Sequence, residues 1–487
     1  MSAYSPPFCA EQERAFSWQT LWLLLCFLAV ALGGGVLGSP FVTYVFTFGV
    51  AGAGVLVFSV GRSMNTLLAI LLVYALCAFY YTLWGLAFFE QDTRNLLAVF
   101  KNLLILAGMA WVAVHFRGFP RWLPLTLAAY FLLLTVQPWQ AARFSLPWAG
   151  YLMNTYVPLA VFFLAFYTVT AKQPHRAFIP ASGSLYVGTL LVLISAPVGW
   201  LVSHILLDTE LISLQQALKG YSHIEGYPRN WWAYLGGNLY LRLSGTAEDP
   251  IFYGYLAGFF AYIWLVRGAL VWAGLLTLIV IAAVAKGAMM LLLGGVAFWT
   301  VLHFLHPLSF LRSLLGALLL AALVGFYVVA SGVSQTSADI HVLGLWLPFE
   351  QVLKGEVGLF QVLFGHGIGS SGNLYKAMMG SELSHLQWLQ GGAESGFGLV
   401  FYQTGAVGLG LLLALIACGF KRCQTSAARG LWLVYWANAA VQENLINLNF
   451  ITLLLVTVAI LELSDLRLSD KKDRANASGH YQPHRRA

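Results

Sequence analysis

Apolar residues run through this chain in long unbroken blocks, without the alternation of strands that face two environments. Each block is about 17–25 residues, enough for an α-helix to cross a ~30 Å hydrocarbon layer. The pattern predicts helices near 17–38, 41–60, 64–88, 96–115, 121–138, 149–171, 186–207, 250–266, 269–285, 287–305, 310–331, 396–419, 430–445 and 449–464. The last two also read as one broken pair. The long apolar run over 269–305 is split at Lys286-Gly287. Continuous runs exclude a β-barrel. The expected fold is an all-α polytopic membrane protein of about 12–14 transmembrane helices. A single membrane domain covers residues 1–464, and a polar, basic tail follows at 465–487.

Charge then orients the chain. Only 9% of the 487 residues are charged, and the mean hydropathy is +0.76. A soluble protein of this size needs far more charge to cover its surface. Cytoplasmic loops carry the Lys and Arg excess. With the N-terminus inside, the short basic loops all fall on one side: Arg62; Arg117 and Arg121; Lys172 and Arg176; Arg267; Arg312; Lys421, Arg422 and Arg429. The tail adds Arg467, Lys471, Lys472, Arg474, Arg485 and Arg486 there. The net charge of +7 is thus a topology signal, and no clustered basic face for nucleic acid precedes the tail. The start of the chain, with Glu11, Glu13 and Arg14, does not read as a cleaved signal peptide. Cys9, Cys26, Cys77, Cys418 and Cys423 imply no disulfide framework.

Two large loops, about 208–249 and about 332–395, face the outside or periplasm. In the first, Asp208–Gly220 reads as a short interfacial helix, capped by Asp208 or Thr209 and ended by Gly220. Trp231, Trp232, Tyr234 and Tyr240 read as interface anchors. Charge inside a membrane is costly, and the spans are almost free of acids. A proton-coupled transporter needs such acids. The ionisable groups gather at the outer face instead, which favours chemistry there over transport.

The most informative stretch at that face is Ser384–Gly398, SHLQWLQGGAESGFG. Its spacing is His385, Trp388, Leu389, Gln390, Ala393, Glu394, Gly396. This resembles the H-N-x-Y-L-Q-x-x-A-E-x-G signature of the bacterial O-antigen polymerase and ligase family. Further likenesses cover roughly residues 240–415. Arg242 in RLSGTAEDP resembles the family's R-x-x-G-x-F-x-x-P segment, with Ala247 in place of the aromatic. Ala285-Lys286-Gly287 stands where the family often has Ser-Arg-Gly, which keeps the charge and loses the two-pronged guanidinium. Leu363–Asn373, LFGHGIGSSGN, resembles an L-x-G-x-G-x-G turn. Gly405 and Gly408 resemble a later glycine pair, for which close helix packing is the expected structural role.

The resemblance implies an all-helical fold related to C-type glycosyltransferases. It implies a donor glycan on undecaprenyl diphosphate, an acceptor glycan, no metal and no other cofactor. An imidazole with a pKa near 6.5 suits removal of a proton from a sugar hydroxyl, so His385 is the expected base. Glu394 is expected to orient it, the plain alternative being that both merely cap the next helix. Arg242, Lys286 and Lys101 are expected to bind the diphosphate and stabilise its growing charge. His366 is a second possible base, and Arg143 and Arg94 are weaker candidates for drawing in an anionic headgroup. Membrane lipid and other polysaccharide-assembly proteins are the expected partners, with no nucleic acid. The expected reaction is inverting transfer at the periplasmic face of a bacterial inner membrane. A repeat-unit polymerase is favoured over an O-antigen ligase or a protein O-oligosaccharyltransferase. A flippase for lipid-linked glycans is the alternative from another class.

Overall fold

The computed structural model describes Asn102 and residues 105–114, 119–136, 146–171, 182–208, 223–224, 227–228, 231–235, 238–245, 247, 249–304, 335–379 and 385–462. The expected spans at 17–38, 41–60, 64–88 and 310–331 lie outside these residues, as do Arg94, Lys101, Arg143, Thr209–Gly220 and the tail.

The chain is mostly helical. In order come α1 (Ile105–Val114), α2 (Trp122–Val136), α3 (Leu146–Tyr151), a π-helical turn (Leu152–Tyr156) and α4 (Val157–Val169). Then follow α5 (Ser182–Asp208), α6 (Pro250–Val266), α7 (Leu270–Ala282), α8 (Lys286–Phe304) and α9 (Gln335–Leu353). Last are α10 (Leu359–Phe364), α11 (Asn373–Met379), α12 (His385–Gln390), α13 (Gly396–Arg422), α14 (Ser426–Ala440), a 3-10 turn (Glu443–Ile446) and α15 (Leu448–Glu462). Among the described residues, Pro147–Val169 and Gly396–Arg422 are long and apolar enough to cross a membrane, and shorter apolar helices accompany them.

Local chemistry sets the helix starts. Asp249 accepts a hydrogen bond from the Ile251 N–H at 3.0 Å, and Pro250 follows at the first helical position. Ser395 and Thr425 cap α13 and α14 in the same way. Glu394 is therefore not the cap of α13. The apolar run 269–305 breaks where it was expected to. Val284 there takes a φ of 46°, and Lys286 opens α8.

Several expectations are corrected. The segment 430–445 is not one span: α14 ends at Ala440, and Gln442–Asn447 is a polar turn before α15. The all-α expectation gives way in the loop before Pro250. It holds two antiparallel hairpins, His223–Ile224 with Tyr227–Pro228 and Trp232–Leu235 with Asn238–Leu241. Gly236-Gly237 separates the second pair, the two-residue connection that tight hairpins favour. Trp231 is buried, so it is no interface anchor, whereas Tyr240 is 46% exposed.

Aromatic packing and small residues hold the bundle together. Phe166 stacks on Trp432 with ring centroids 4.2 Å apart, and Phe163 lies parallel to Trp436. Gly430 sits on the backbone of Gly295 and Trp299, which brings α14 close against α8. These contacts also sort the charges by end. Tyr262, five residues before Arg267, donates to the Ala427 carbonyl. Arg422 lies over the Tyr167 ring, which meets Trp122 edge-on. Arg121, Arg267, Arg422 and Arg429 therefore share one end. At the other end Tyr255 donates to Gln442 at 2.8 Å, and Asn438 donates to the Gly287 carbonyl at 2.8 Å.

The second large loop folds back on the bundle. Helix α9 runs along α13: Gly344 rests on the Ala393 and Gly398 backbones, and Phe349 stacks on Phe401 at 4.3 Å. The chain turns and returns through α10 into the glycine-rich segment. There Gly365, Gly367, Gly369 and Gly372 all have positive φ, which glycine adopts without a Cβ clash. Gly405 was expected to serve close helix packing, and it does more. Its φ of 68° interrupts α13 where the Leu363 backbone crosses it.

Candidate functional site at the acidic end of the bundle

The turn after α14 carries Glu443, which is 4% exposed. Its Oε1 accepts the Tyr151 hydroxyl at 2.8 Å. The Asn373 N–H points at both carboxylate oxygens, at 3.0 and 3.1 Å, and the Glu394 N–H reaches Oε2 at 3.3 Å. In return the Glu443 N–H donates to the Glu394 carbonyl at 3.3 Å. One buried carboxylate thus joins α3, the start of α11 and the turn before α13. Burial outweighs the bonds to Tyr151 and the backbone, and together with the Glu394 charge it pushes the Glu443 pKa up from 4.5 to about 7.

Glu394 itself is strained. Its φ is 67°, a left-handed conformation that costs a residue with a Cβ about 1 kcal/mol or more. His341 of α9 stands beside it, with Nδ1 2.9 Å from the Glu394 carbonyl oxygen and 3.7 Å from Oε2. A carbonyl only accepts, so Nδ1 carries the proton and Nε2 is the basic nitrogen.

The motif residues around Glu394 have separate tasks. His385 opens α12, and its side chain lies outside the described residues. Trp388 and Leu389 are buried on α12 against Ile340 and Leu347 of α9, with Ala393 completing the cluster. The Lys376 ammonium sits 3.6 Å over the Trp388 ring centre, a cation–π contact. His366 is not in this group. It stacks on Tyr402 at 4.2 Å, its Nδ1 lies 3.3 Å from the Tyr402 carbonyl, and burial lowers its pKa below the ordinary histidine value.

The two described cation candidates lie at the same end of the bundle. Lys286-Gly287 is tied to the Glu443 turn through neighbours: Asn438 donates to both the Gly287 carbonyl and the Tyr255 hydroxyl, and Tyr255 donates to Gln442. A Cβ on Gly287 would overlap the Tyr255 hydroxyl and the Gln442 amide, so glycine is required there for space. Arg242 approaches from the loop, with the Leu243 N–H on the Ala282 carbonyl at 3.0 Å, and its charge acts on Lys286. Burial lowers the Arg242 pKa while Asp249 opposes the shift. Arg242 Nε is buried and has no hydrogen-bond partner among the described residues.

The structure therefore gathers Glu394, Lys286 and Arg242 at one end and packs His366 against Tyr402. It adds Glu443, His341, Tyr151 and Gln442, which the sequence reading passed over. One signal marked Gln442 and Glu443: they lie with Asn444, Asn447 and Asn449 in a polar run inside what otherwise scans as membrane helix. No family model matches the chain, and neither a curated protein nor a solved structure is significantly similar to it.

Proposed function

We propose that this chain is a polytopic membrane glycosyltransferase. It moves a glycan from undecaprenyl diphosphate to an acceptor sugar hydroxyl at the periplasmic face of a bacterial inner membrane. The observation that carries this reading is the assembly of Glu394, Glu443 and His341 from separate segments at the end of the bundle that also holds Arg242 and Lys286. The gathering of Arg121, Arg267, Arg422 and Arg429 at the opposite end supports a membrane orientation with the acidic end outside.

In this reading Arg242 and Lys286 bind the donor diphosphate. The buried Arg242 Nε, without a hydrogen-bond partner among the described residues, suits an anion that completes its bonds. As the anomeric bond breaks, the leaving diphosphate gains negative charge, and these cations stabilise it. The acceptor hydroxyl attacks the anomeric carbon from the opposite face and gives its proton to a histidine beside Glu394. His385 holds that place by its motif, and His341 by its contact with Glu394. A repeat-unit polymerase is favoured, and a ligase or a protein O-oligosaccharyltransferase would share the same donor chemistry.

The test is transfer by purified full-length protein from an undecaprenyl diphosphate-linked repeat unit, read as a glycan ladder. The wild type is expected to build a ladder and Arg242→Ala to lose it. His385→Ala and His341→Ala identify the base. Well-folded wild type that transfers to no acceptor, whether repeat unit, lipid A core or protein, would contradict the proposal.

A further inference from the structure

We propose that Glu443 is the positioning residue of this site: its buried carboxylate fastens the strained Glu394 turn and the first turn of α11 to Tyr151 on α3. The clamp is read from geometry alone, and its consequence for turnover rests on the glycan-transfer reading.

Three observations carry it. First, Glu443 spans elements far apart in sequence, for Tyr151, Asn373 and Glu394 belong to three separate segments. The Tyr151 hydroxyl extends the clamp, accepting the Leu374 N–H at 3.0 Å while donating to Glu443. Second, the partners are matched to a carboxylate. The hydroxyl and both N–H groups donate, so an ionised acid satisfies all three and an amide of the same shape does not. A glutamine would turn its NH₂ toward N–H groups or the hydroxyl and leave at least one buried donor unmet. Third, the clamp holds a strained residue. Glu394 keeps its left-handed φ because its N–H and carbonyl are both bonded to Glu443, and its carbonyl also faces His341. A shift in Glu443 therefore moves Glu394 and the histidine contact together.

The titratable groups around Glu443 are Tyr151 and Tyr156 from the α3–α4 side, Glu394 ahead of α13, and His341 of α9 behind Glu394. Lys286 stands beyond Gln442. A proton on Glu443 Oε2 would meet only the N–H groups of Asn373 and Glu394. On Oε1 it meets the Tyr151 oxygen, whose own proton must turn away. Neutral Glu443 thus loses one of its three donors. With the Glu443 pKa raised to about 7, ionisation as pH rises through neutrality restores that third donor.

Amide hydrogen exchange of the full-length protein in nanodiscs, followed by mass spectrometry, tests the clamp without reference to activity. In Glu443→Gln, segments 373–379 and 391–395 should exchange about tenfold faster or more, with α6 unchanged. Tyr151→Phe removes one donor and should loosen the same segments by a smaller factor, which keeps the test decisive if Glu443→Gln folds poorly. Protection of those segments within about twofold of wild type in both variants overturns the clamp. In the transfer assay, Glu443→Gln should lower kcat about 100-fold with the donor KM nearly unchanged. The wild-type rise in kcat through pH 7 should vanish from its residual activity. Loosened segments with wild-type kcat overturn the positioning role, and a wild type that transfers nothing refutes the glycan-transfer reading while the exchange data still judge the clamp.

Discussion

Glu443 and Glu462 are both 4% exposed, lie at opposite ends of the bundle and accept backbone N–H groups, yet they do different work. Glu462 takes the Gln424 N–H at 2.8 Å and the Thr425 N–H at 3.2 Å, two neighbours at the start of α14. That is local capping at an end rich in arginine, with Arg429 donating to the nearby Cys423 carbonyl. Glu443 instead joins three distant segments, sits beside a second acid and holds a residue with positive φ. A buried carboxylate on one helix start serves the fold. Under the proposed glycan transfer, one that couples several segments around strained backbone marks a place where stability was given up for chemistry.

The sharpest break between the two ends is Glu394→Gly. Glycine relieves the left-handed strain, so stability should hold or rise by about 1 kcal/mol. Transfer, on the proposed reading, should nevertheless fall by about 10³-fold, because the carboxylate beside the histidine is gone while the backbone carbonyl stays. Turnover together with a thermal melt reads both, and a loss of activity that tracks a loss of stability would erase the distinction.

Removing the two buried acids should cost unequal amounts. Glu443→Ala strands the Tyr151 hydroxyl and two N–H groups, about 3–5 kcal/mol, whereas Glu462→Ala strands two N–H groups at one helix start, about 1–2 kcal/mol. Unfolding midpoints in detergent check this, and equal losses would contradict it.

Acidity sharpens the comparison further. The folded pKa of Glu443 is raised, from 4.5 to about 7, so its favourable linkage to folding is fully present below pH 4.5 and is lost as pH rises through about 7. The loss is on the order of 3 kcal/mol. Activity, on the proposed reading, runs the other way and should rise over the same window, since only the ionised acid accepts from all three donors. Melting temperature against pH should therefore fall more steeply in wild type than in Glu443→Gln.

A smaller effect is expected from Gly287→Ala. The added methyl meets Tyr255 and Gln442, and should cost about 1–3 kcal/mol of stability. It should also weaken donor binding by displacing Lys286 from the Glu443 turn. Donor KM against kcat separates that from a general loss of fold.

Much of this was legible in the sequence because it is written locally. The apolar runs gave α6 its bounds at Pro250 and Val266, and the Lys286-Gly287 break needed only charge and glycine within one run. The motif at 385–396 marked the turn that carries Glu394. Glu443 was hidden because its partners lie far away in the chain: Tyr151 is separated from it by 292 residues and Asn373 by 70. No spacing rule spans such intervals. His341 was passed over in a loop that looked irregular, since its helix is set by packing on α13. Two-residue hairpins near Gly236-Gly237 were visible in principle, but aromatic residues there read equally well as membrane anchors.

The most direct test of the account compares the two ends in one assay: glycan transfer from an undecaprenyl diphosphate-linked donor by Glu443→Gln and Glu462→Gln, each at equal folded concentration. The account predicts that the first loses the ladder by about 100-fold while the second keeps it within about threefold of wild type. Equal activity in the two variants would contradict it.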